Sequence, residues 1–491
     1  MPSLADKFSR LSALKQSRTA TQLRPATRRA PDEEDALSHL VGAAIASNRY
    51  GDHVSVSNWY SSPEFFEASS TTLDLLCRSR DVSQSKCTLA ALSDPTKWLF
   101  LDTETTGLSG GTGTYAFLIG LAWWDSGGLQ VEQLFMRDFH EEHSILHELS
   151  ARLAERPVLV TFNGKSFDWP LLENRFTMTR AIATPKLAAH LDLLYPSRAL
   201  WRLRLGSVRL VELERHVLDA PRLGWHRDED VLSSLVPQHY FDYLRGGPAE
   251  PLAAVIRHNQ MDLRGLAAIL SRIDALLAAA NLCASYVECG APAPLLTNTT
   301  PAANLISSPA TAVEGLDLFS VSRFLHKRGD RDGAQAACSS ALTLGLPAEH
   351  RLKARRELAH HAKRRGDFER AAKLWHELAA ESHATSDLAD AIHACEQLAS
   401  HYERRIKDFE RALEFARLAQ SKLACLRIAN RDPYTSPRIA KLEQKFLNRV
   451  TRLQHRISFP ARAAANLPLL QATPIPSATN KRTRIAIAGT R

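Results

Sequence analysis

Two carboxylates stand on alternate positions of this sequence, Asp102 and Glu104, directly after the apolar run Trp98-Leu99-Phe100-Leu101. In a β-strand, residues two apart point to the same face, so the pair would sit side by side at the end of a largely buried strand. Two like charges this close in a core are costly unless a cation neutralises them. An oxygen-only ligand set suits magnesium or manganese. The bland alternative is a strand that ends in a solvated acidic turn. Holding two metals needs further carboxylates at the ends of later elements, and two stand out. Asp168 closes the segment Asn163-Gly164-Lys165-Ser166-Phe167-Asp168, just after the apolar run VLVTF. Asp262 closes His258-Asn259-Gln260-Met261-Asp262 and opens an apolar helical run.

The elements that must carry these side chains can be read from periodicity. Residues 98–125 form an apolar run, a glycine-rich turn and a second apolar run, which predicts a β-hairpin with a long turn. A third strand is predicted over 129–139, a helix over 141–155, a buried strand over 158–162 and a helix over 166–180. A short strand follows at 190–194 and a helix at 205–217. An irregular segment, 220–238, leads to helical patterns through 280. Three consecutive strands, then strands and helices in alternation, make an α/β domain with a mixed sheet flanked by helices.

The chain has 491 residues, which predicts two or more domains. No apolar run reaches the roughly 18 residues that span a bilayer. The N-terminus has no hydrophobic signal core, and seven scattered cysteines contain no C-x-x-C pair. Those features exclude a zinc ribbon and a disulfide framework, and they fit a reducing cytoplasm. A net charge of +9 fits a polyanionic partner, and equally a merely basic protein. Residues 1–94 are rich in Lys, Arg, Pro, Ser and Thr and read as a largely disordered basic region, with a short helix near 36–46. Residues 281–315 read as a linker, 316–455 as helical repeats and 456–491 as a disordered basic tail. In the repeats, Gly329-Asp330, Gly366-Asp367 and Lys407-Asp408 recur at a spacing of roughly 40 residues in matching contexts. A turn of this kind between two helices resembles a tetratricopeptide-type array, which stacks into a solenoid with a concave binding surface. An ordinary helical bundle is the alternative.

Three motifs in order carry a resemblance to a known family. Asp102-Thr103-Glu104, then Asn163 with Asp168, then His258 with Asp262, resemble the DnaQ-like, DEDD-type 3′–5′ exonucleases of the ribonuclease H-like fold. Within that superfamily the stretches DTETTGLSGGTGTYAFLIGLAWW, VTFNGKSFDWPLL, HLDLLYPSRALWR, LGSVRLVELER and HNQMDL most resemble a YprB-type ribonuclease H-like domain, spanning 95–280. The resemblance implies a metal-dependent nuclease that hydrolyses phosphodiester bonds of DNA or RNA with two divalent ions, Mg²⁺ or Mn²⁺. It implies that Asp102, Glu104, Asp168 and Asp262 hold the metals and that His258 is the general base. It places Thr106, Gly107 and Leu108 against the terminal nucleotide, with Asn163 and Lys165 beside the substrate. One departure matters. The family carries His five residues before the last Asp or Tyr four before it, whereas this chain has His258 four before Asp262 and Arg257 five before. His258 merely capping or packing its helix is the rival reading. At the level of the whole chain, the rival is a catalytically weak or inactive nucleic-acid-binding scaffold that uses the repeats to hold a protein partner. All five candidate catalytic residues lie in 95–280, so that fragment is expected to suffice for hydrolysis.

Weaker signals remain open or fail. Gly164-Lys165-Ser166 lacks the earlier glycine of a phosphate-binding loop, since residue 159 is Leu159. Lys165 can touch a substrate phosphate or be solvated. His140, His143 and His147 miss the H-E-x-x-H pattern and read as an exposed helix face. Asp192 is either a fifth acid or a strand-end residue. Trp201, Arg202 and Arg204 either line a nucleic-acid groove or serve the fold.

Overall fold

The computed structural model describes residues 37, 39–61, 68–77, 92–107, 113–125, 127–225, 227, 231–288, 314–381, 388–429 and 436–458. The chain divides into two compact units, Met1–Ala354 and Arg355–Arg491. The first is a mixed seven-stranded sheet with helices, and the rest is helical.

The strands are β1 (Ala44–Asn48), β2 (Gly51–Ser61), β3 (Trp98–Thr105), β4 (Ala116–Asp125), β5 (Gly128–Phe135), β6 (Val158–Thr161) and β7 (Ala189–Asp192). They lie in the order β1-β2-β5-β4-β3-β6-β7. β3 is central, antiparallel to β4 and parallel to β6. Its first four residues are fully buried, and exposure begins at Asp102. The C-terminal ends of β3, β6 and β7 therefore open on one edge of the sheet. That is where ligand crevices form in open α/β sheets.

In the first unit the helices are α1 (Ser70–Cys77), α2 (Glu142–Glu155), α3 (Asp168–Thr179), α4 (Leu194–Leu205), α5 (Leu210–Leu213), α6 (Val236–Leu244), α7 (Glu250–Glu288), α8 (Gly315–Arg328) and α9 (Arg331–Leu344). α7 presents a buried stripe of Leu252, Val255, Ile256, Leu263, Leu266, Ala267 and Leu270 at helical spacing. Its first part packs into the core beneath β4 and β5.

The predicted hairpin, the strands at 158–162 and 190–194 and the helices at 141–155 and 166–180 are present with slightly shifted bounds. Two expectations need correction. The helix predicted over 205–217 is instead α4, which ends at Leu205, and α5, which continues as a π-helical turn, Glu214–Leu218. Gly206 separates them at φ 71°, a conformation that glycine adopts without a Cβ penalty. Residues 44–61 fall in the stretch expected to be disordered, and the second half of the helix expected near 36–46 is strand β1. β2 pairs antiparallel with β5 from Val54–Phe135 to Ser61–Gly128 and buries Val54 and Val56 against the core. Helix α1, Ser70–Cys77, falls in the same stretch. Residues 1–36, 38, 62–67 and 78–91, the C-terminal tail from 459 and residues 289–313 of the expected linker lie outside the described residues.

The helices from 315 to 344, placed with the repeats by sequence, pack within the first unit. Arg204 of α4 bonds buried Asp317 of α8 at 2.8 Å, and Arg204 also lies 3.7 Å from Glu314. In the second unit, α10 (Ala348–Arg364, which crosses the boundary) is followed by α11 (Phe368–Glu381), α12 (Leu388–His401), α13 (Phe409–Ala429) and α14 (Ser436–Ser458). The repeated dipeptides acquire a physical meaning here. Gly329, Gly366 and Lys407 each adopt positive φ. The following Asp330, Asp367 and Asp408 each accept a backbone N–H of the next helix at 2.9–3.0 Å. Each pair is thus a helix stop followed by an N-cap.

A fragment covering 95–280 lacks β1, β2 and the α8–α9 hairpin, so the sequence-based expectation that it suffices changes. Stripping β2 exposes the ladder edge of β5. We expect the 95–280 fragment to melt several degrees below a 37–364 fragment by circular dichroism. Equal midpoints would show that the added strands and hairpin do not support the sheet.

Candidate functional site

The site is built from a row that crosses three strands. Asp102 of β3 pairs with Gly120 of β4, and Gly120 pairs with Gln133 of β5. Over this row lies Asn259, a fully buried polar residue within the apolar stripe of α7. Its Nδ2 donates to the Asp102 carboxylate at 2.8 Å, and its Oδ1 accepts from Gln133 Nε2 at 2.7 Å. Gln133 also donates to the carbonyl of Ile256 at 2.8 Å. Gly120 makes the row possible, because a Cβ there would stand 2.2 Å from Asn259 Oδ1. The helix can approach the sheet this closely only over a residue without a side chain.

The α7 helix then brings His258 and Asp262 to Glu104. His258 Nε2 lies 3.9 Å from Glu104 Oε1 and 3.6 Å from Asp262 Oδ2. The four-residue spacing puts His258 and Asp262 on one face. A register irregularity between Glu104 and Thr105 ends the β3–β4 pairing at this point, as bulges next to functional sites commonly do. Asp168 opens α3, and its Oδ1 accepts a hydrogen bond from Thr103 Oγ1 at 2.5 Å. Burial raises the Asp102 pKa well above the ordinary carboxylate range, and the negative charges of Asp262, Asp168 and Glu104 raise it further. Burial raises the Asp168 pKa as well, partly opposed by the Thr103 hydrogen bond. The four predicted acids and His258 are therefore brought to one end of the sheet.

Other predicted residues have varied placements. Thr106 braces the turn: its N–H donates to the Tyr115 carbonyl and its hydroxyl accepts the Tyr115 N–H, both at 2.9 Å. The Gly107 carbonyl accepts from Thr105 Oγ1. Leu108 lies outside the described residues. Asn163 adopts positive φ, and its N–H and that of Lys165 both donate to Asp192, at 2.7 and 3.2 Å. Asp192 also accepts the Leu194 N–H at 3.0 Å. Buried Asp192 is thus the staple of the 163–167 loop, accepting three backbone N–H groups. Lys165 is exposed. Trp201 is buried, Arg204 is committed to Asp317 and Arg202 is exposed.

Sequence reasoning missed four residues. Asn259 and Gln133 carry no local signal beyond being polar at core positions. Glu214 and Arg227 form the fourth wall. Arg227 donates to Glu214 at 2.7 Å through two nitrogens and to Asp262 at 2.5 Å, and its Nη1 is 3.5 Å from His258 Nδ1. Glu214 sits in the π-helical turn over α7, where a Cβ on Gly265 would meet its Oε1 at 2.2 Å. Burial works against the Arg227 charge, but Asp262 and Glu214 outweigh it and hold the guanidinium above its ordinary pKa.

Among the described residues, no group of three or more His, Cys, Asp or Glu side chains stands in metal-ligating geometry. The contacts above explain that arrangement: Asn259 holds Asp102, Thr103 holds Asp168 and Arg227 holds Asp262. The donor set nevertheless fits a hard divalent cation, because its carboxylates repel one another and no thiolate competes. Asp102, Glu104, Asp168 and Asp262 would hold such an ion.

Comparison with known proteins follows this geometry. Residues 99–273 match a family model described as RNase_H superfamily. Over these residues the chain is similar to the ribonuclease H superfamily. It is 27% identical over 349 residues to an uncharacterized protein, YprB, of Bacillus subtilis (strain 168), covering 71% of this chain and 74% of that one. A family B DNA polymerase from the hyperthermophilic archaeon Pyrobaculum calidifontis is similar at 15% identity with a TM-score of 0.29. That match covers 47% of this chain and spans 29% of the polymerase.

Two predictions follow from the charges. A carboxyl whose folded pKa is raised binds more protons folded than unfolded, so stability falls as pH rises from the ordinary carboxylate range through the folded pKa. Asp102→Asn removes that penalty. In EDTA at pH 7–8 the variant should be more stable than the parent, on the order of 1 kcal/mol, with the gain vanishing near pH 4; urea unfolding across pH reads it. Arg227→Met leaves buried Glu214 without its cation and should cost about 3–5 kcal/mol. Adding Glu214→Leu should recover most of the loss, and a double variant as unstable as the single one would contradict this account.

Proposed function

We propose that this chain is a metal-dependent nuclease that hydrolyses phosphodiester bonds of nucleic acid, acting as a 3′–5′ exonuclease. The observation that carries the reading is the convergence of four carboxylates and one imidazole at the open end of the central strand. A structural role alone does not call for that grouping, which costs the fold electrostatic free energy. Similarity of residues 99–273 to the RNase_H superfamily supports it. Divalent magnesium or manganese, when bound, would neutralise charge on the phosphoryl oxygens and on the attacking and leaving oxygens.

The chain's own residues supply position and proton transfer. Asn259 fixes the rotamer of Asp102 through an amide that is itself fixed by Gln133. Asp262 is held by Arg227 and would share its carboxylate with a bound cation. His258 stands between Glu104 and Asp262 with Nε2 toward both. A ring that accepts from Arg227 at Nδ1 carries its own proton on Nε2. His258 would therefore take the proton of an attacking water at Nε2 once Arg227 turns from Nδ1 and the ring proton moves there; proton transfer of this kind is worth about 10²–10⁴ in rate. The Thr106–Tyr115 brace holds the turn that would border the terminal nucleotide, and Asn163 and Lys165 line the approach on the other side. The helices after 315 would act as a tetratricopeptide-like array for a protein partner. Among the described residues no helix is long and apolar enough to cross a membrane. We assign the protein to the cytoplasm on its scattered cysteines, which fit a reducing compartment.

The test is incubation of the full chain with 5′-labelled single- and double-stranded DNA and RNA, with Mg²⁺ or Mn²⁺. Stepwise shortening from the 3′ end, abolished by EDTA and by Asp102→Ala, is the expected outcome. His258→Asn should lower the rate about 100-fold or more with manganese binding kept, and His258→Tyr should restore part of it. Manganese binding by calorimetry without cleavage of any substrate would favour the scaffold reading. Turnover unchanged in excess EDTA would sink the metal mechanism.

A further inference from the structure

A second feature lies beside the acidic site and is not used by it. Residues 194–210 and the Phe162–Asn163 segment enclose an open cleft of about 520 Å³. Three arginines line it. Arg198 and Arg202 stand one turn apart on α4, and Arg209 reaches it from the start of α5, across Ser207. All three are exposed, and no acid lines the cleft. Among the described residues none of the three makes an ion pair, whereas Arg204 on the same helix is neutralised by Asp317. Three unneutralised guanidinium groups around one cleft repel one another and gain nothing for the fold. Their planar forks match phosphate oxygens in two-point geometry.

We infer that this arginine cleft is a binding site for the phosphodiester backbone of the nucleic-acid strand. The inference rests on the nuclease reading above. Continuity with the catalytic end is what selects a polymer over a free anion. The cleft wall at Asn163 is the loop that Asp192 pins and that runs on to Asp168. A strand whose scissile bond lies at the carboxylates therefore passes this wall, with neighbouring phosphates in reach of the arginines. Phe162, partly exposed at the cleft floor, offers a face on which a base can stack. The arginines hold phosphate and leave the acids free of direct contact with distant charge, so they set affinity and register rather than chemistry.

The experiment is fluorescence anisotropy of a labelled single-stranded 20-mer, DNA and RNA, in EDTA so that nothing is cut, from 50 to 200 mM salt. The parent is compared with the triple variant Arg198→Ala, Arg202→Ala, Arg209→Ala and with a charge-matched control, Arg370→Ala, Lys373→Ala, Arg417→Ala. The three arginines are exposed and unpaired, so the triple variant should keep its melting temperature. Each phosphate contact contributes about 0.7 to the slope of log affinity against log salt for a single strand, so the triple variant should lose about two units of slope. The control should keep the parental slope. A triple variant with the parental slope overturns the cleft, as does a control that loses as much as the triple variant. A parent that cuts in the Mg²⁺ or Mn²⁺ assay above, with the triple variant binding as the parent does here, defeats this inference alone. A parent that binds neither DNA nor RNA here yet shortens them in that assay likewise defeats this inference alone, and one that neither binds nor cuts takes the nuclease reading down with it.

Discussion

The constraint on which the rest depends is the burial of mutually repelling carboxylates at the end of a central strand. Asp102 stands half-buried at the end of the core strand and faces the charges of Asp262, Asp168 and Glu104. Nothing in local propensity favours that arrangement, and each neighbour lowers the comfort of the others. The structure answers with dedicated holders: an amide for Asp102, a hydroxyl for Asp168 and a guanidinium for Asp262. Each holder must come from a different element, so the site ties β3, β4, β5, α3, α7 and the π-helical turn into one assembly. An undemanding core would not need such ties.

The glycines follow from this. α7 can lie close enough to the sheet for Asn259 to reach Asp102 only because β4 has no side chain at Gly120, and Glu214 can fold over α7 only because of Gly265. The same logic sets the composition of the helix. Around the site its buried stripe is apolar except where Asn259 interrupts it (Ser271 and Arg272 are buried further along), and that interruption is satisfied on both its carbonyl and its amide side. Arg227 serves both sides of the problem. It neutralises buried Glu214 and at the same time offers Asp262 a cation from within the chain. A bound metal would enter a site whose anionic charge is already partly answered.

Much of this was legible in the sequence because motif residues sit at element ends, where periodicity changes. The apolar run into Asp102 and Glu104, the buried strand before Asp168 and the helical run after Asp262 are local patterns, and local patterns survive folding. The repeated Gly-Asp and Lys-Asp pairs were legible for the same reason, since a helix stop and an N-cap are adjacent in the chain. What was not legible depends on distant partners. Asn259, Gln133 and Gly120 are three ordinary residues spread over 140 positions; the sheet register aligns Gly120 and Gln133 with Asp102, and the packing of α7 sets Asn259 over them. Arg227 lies in a segment with no periodicity. β2 did leave a signal, the alternation His53-Val54-Ser55-Val56-Ser57, but its basic, polar surroundings masked it. Its burial comes from β5, far along the chain.

The break between α4 and α5 shows how a misread helix can conceal a site. A continuous helix from 205 to 217 would carry Arg209 along one axis, more than a turn beyond Arg202. Gly206 instead turns the chain, so that Arg209 comes back to face Arg198 and Arg202 across a common cleft. The same turn sets Glu214 over α7, where it meets Arg227. One left-handed residue therefore places two cationic features with opposite roles. Arg227 is paired on both sides and belongs to the electrostatic support of the acids. The three cleft arginines keep their charge unspent and border the loop that leads to Asp168. Charge that is neutralised within the fold stabilises it, while charge left facing an open cleft costs the fold and is retained where a polyanion would complete it.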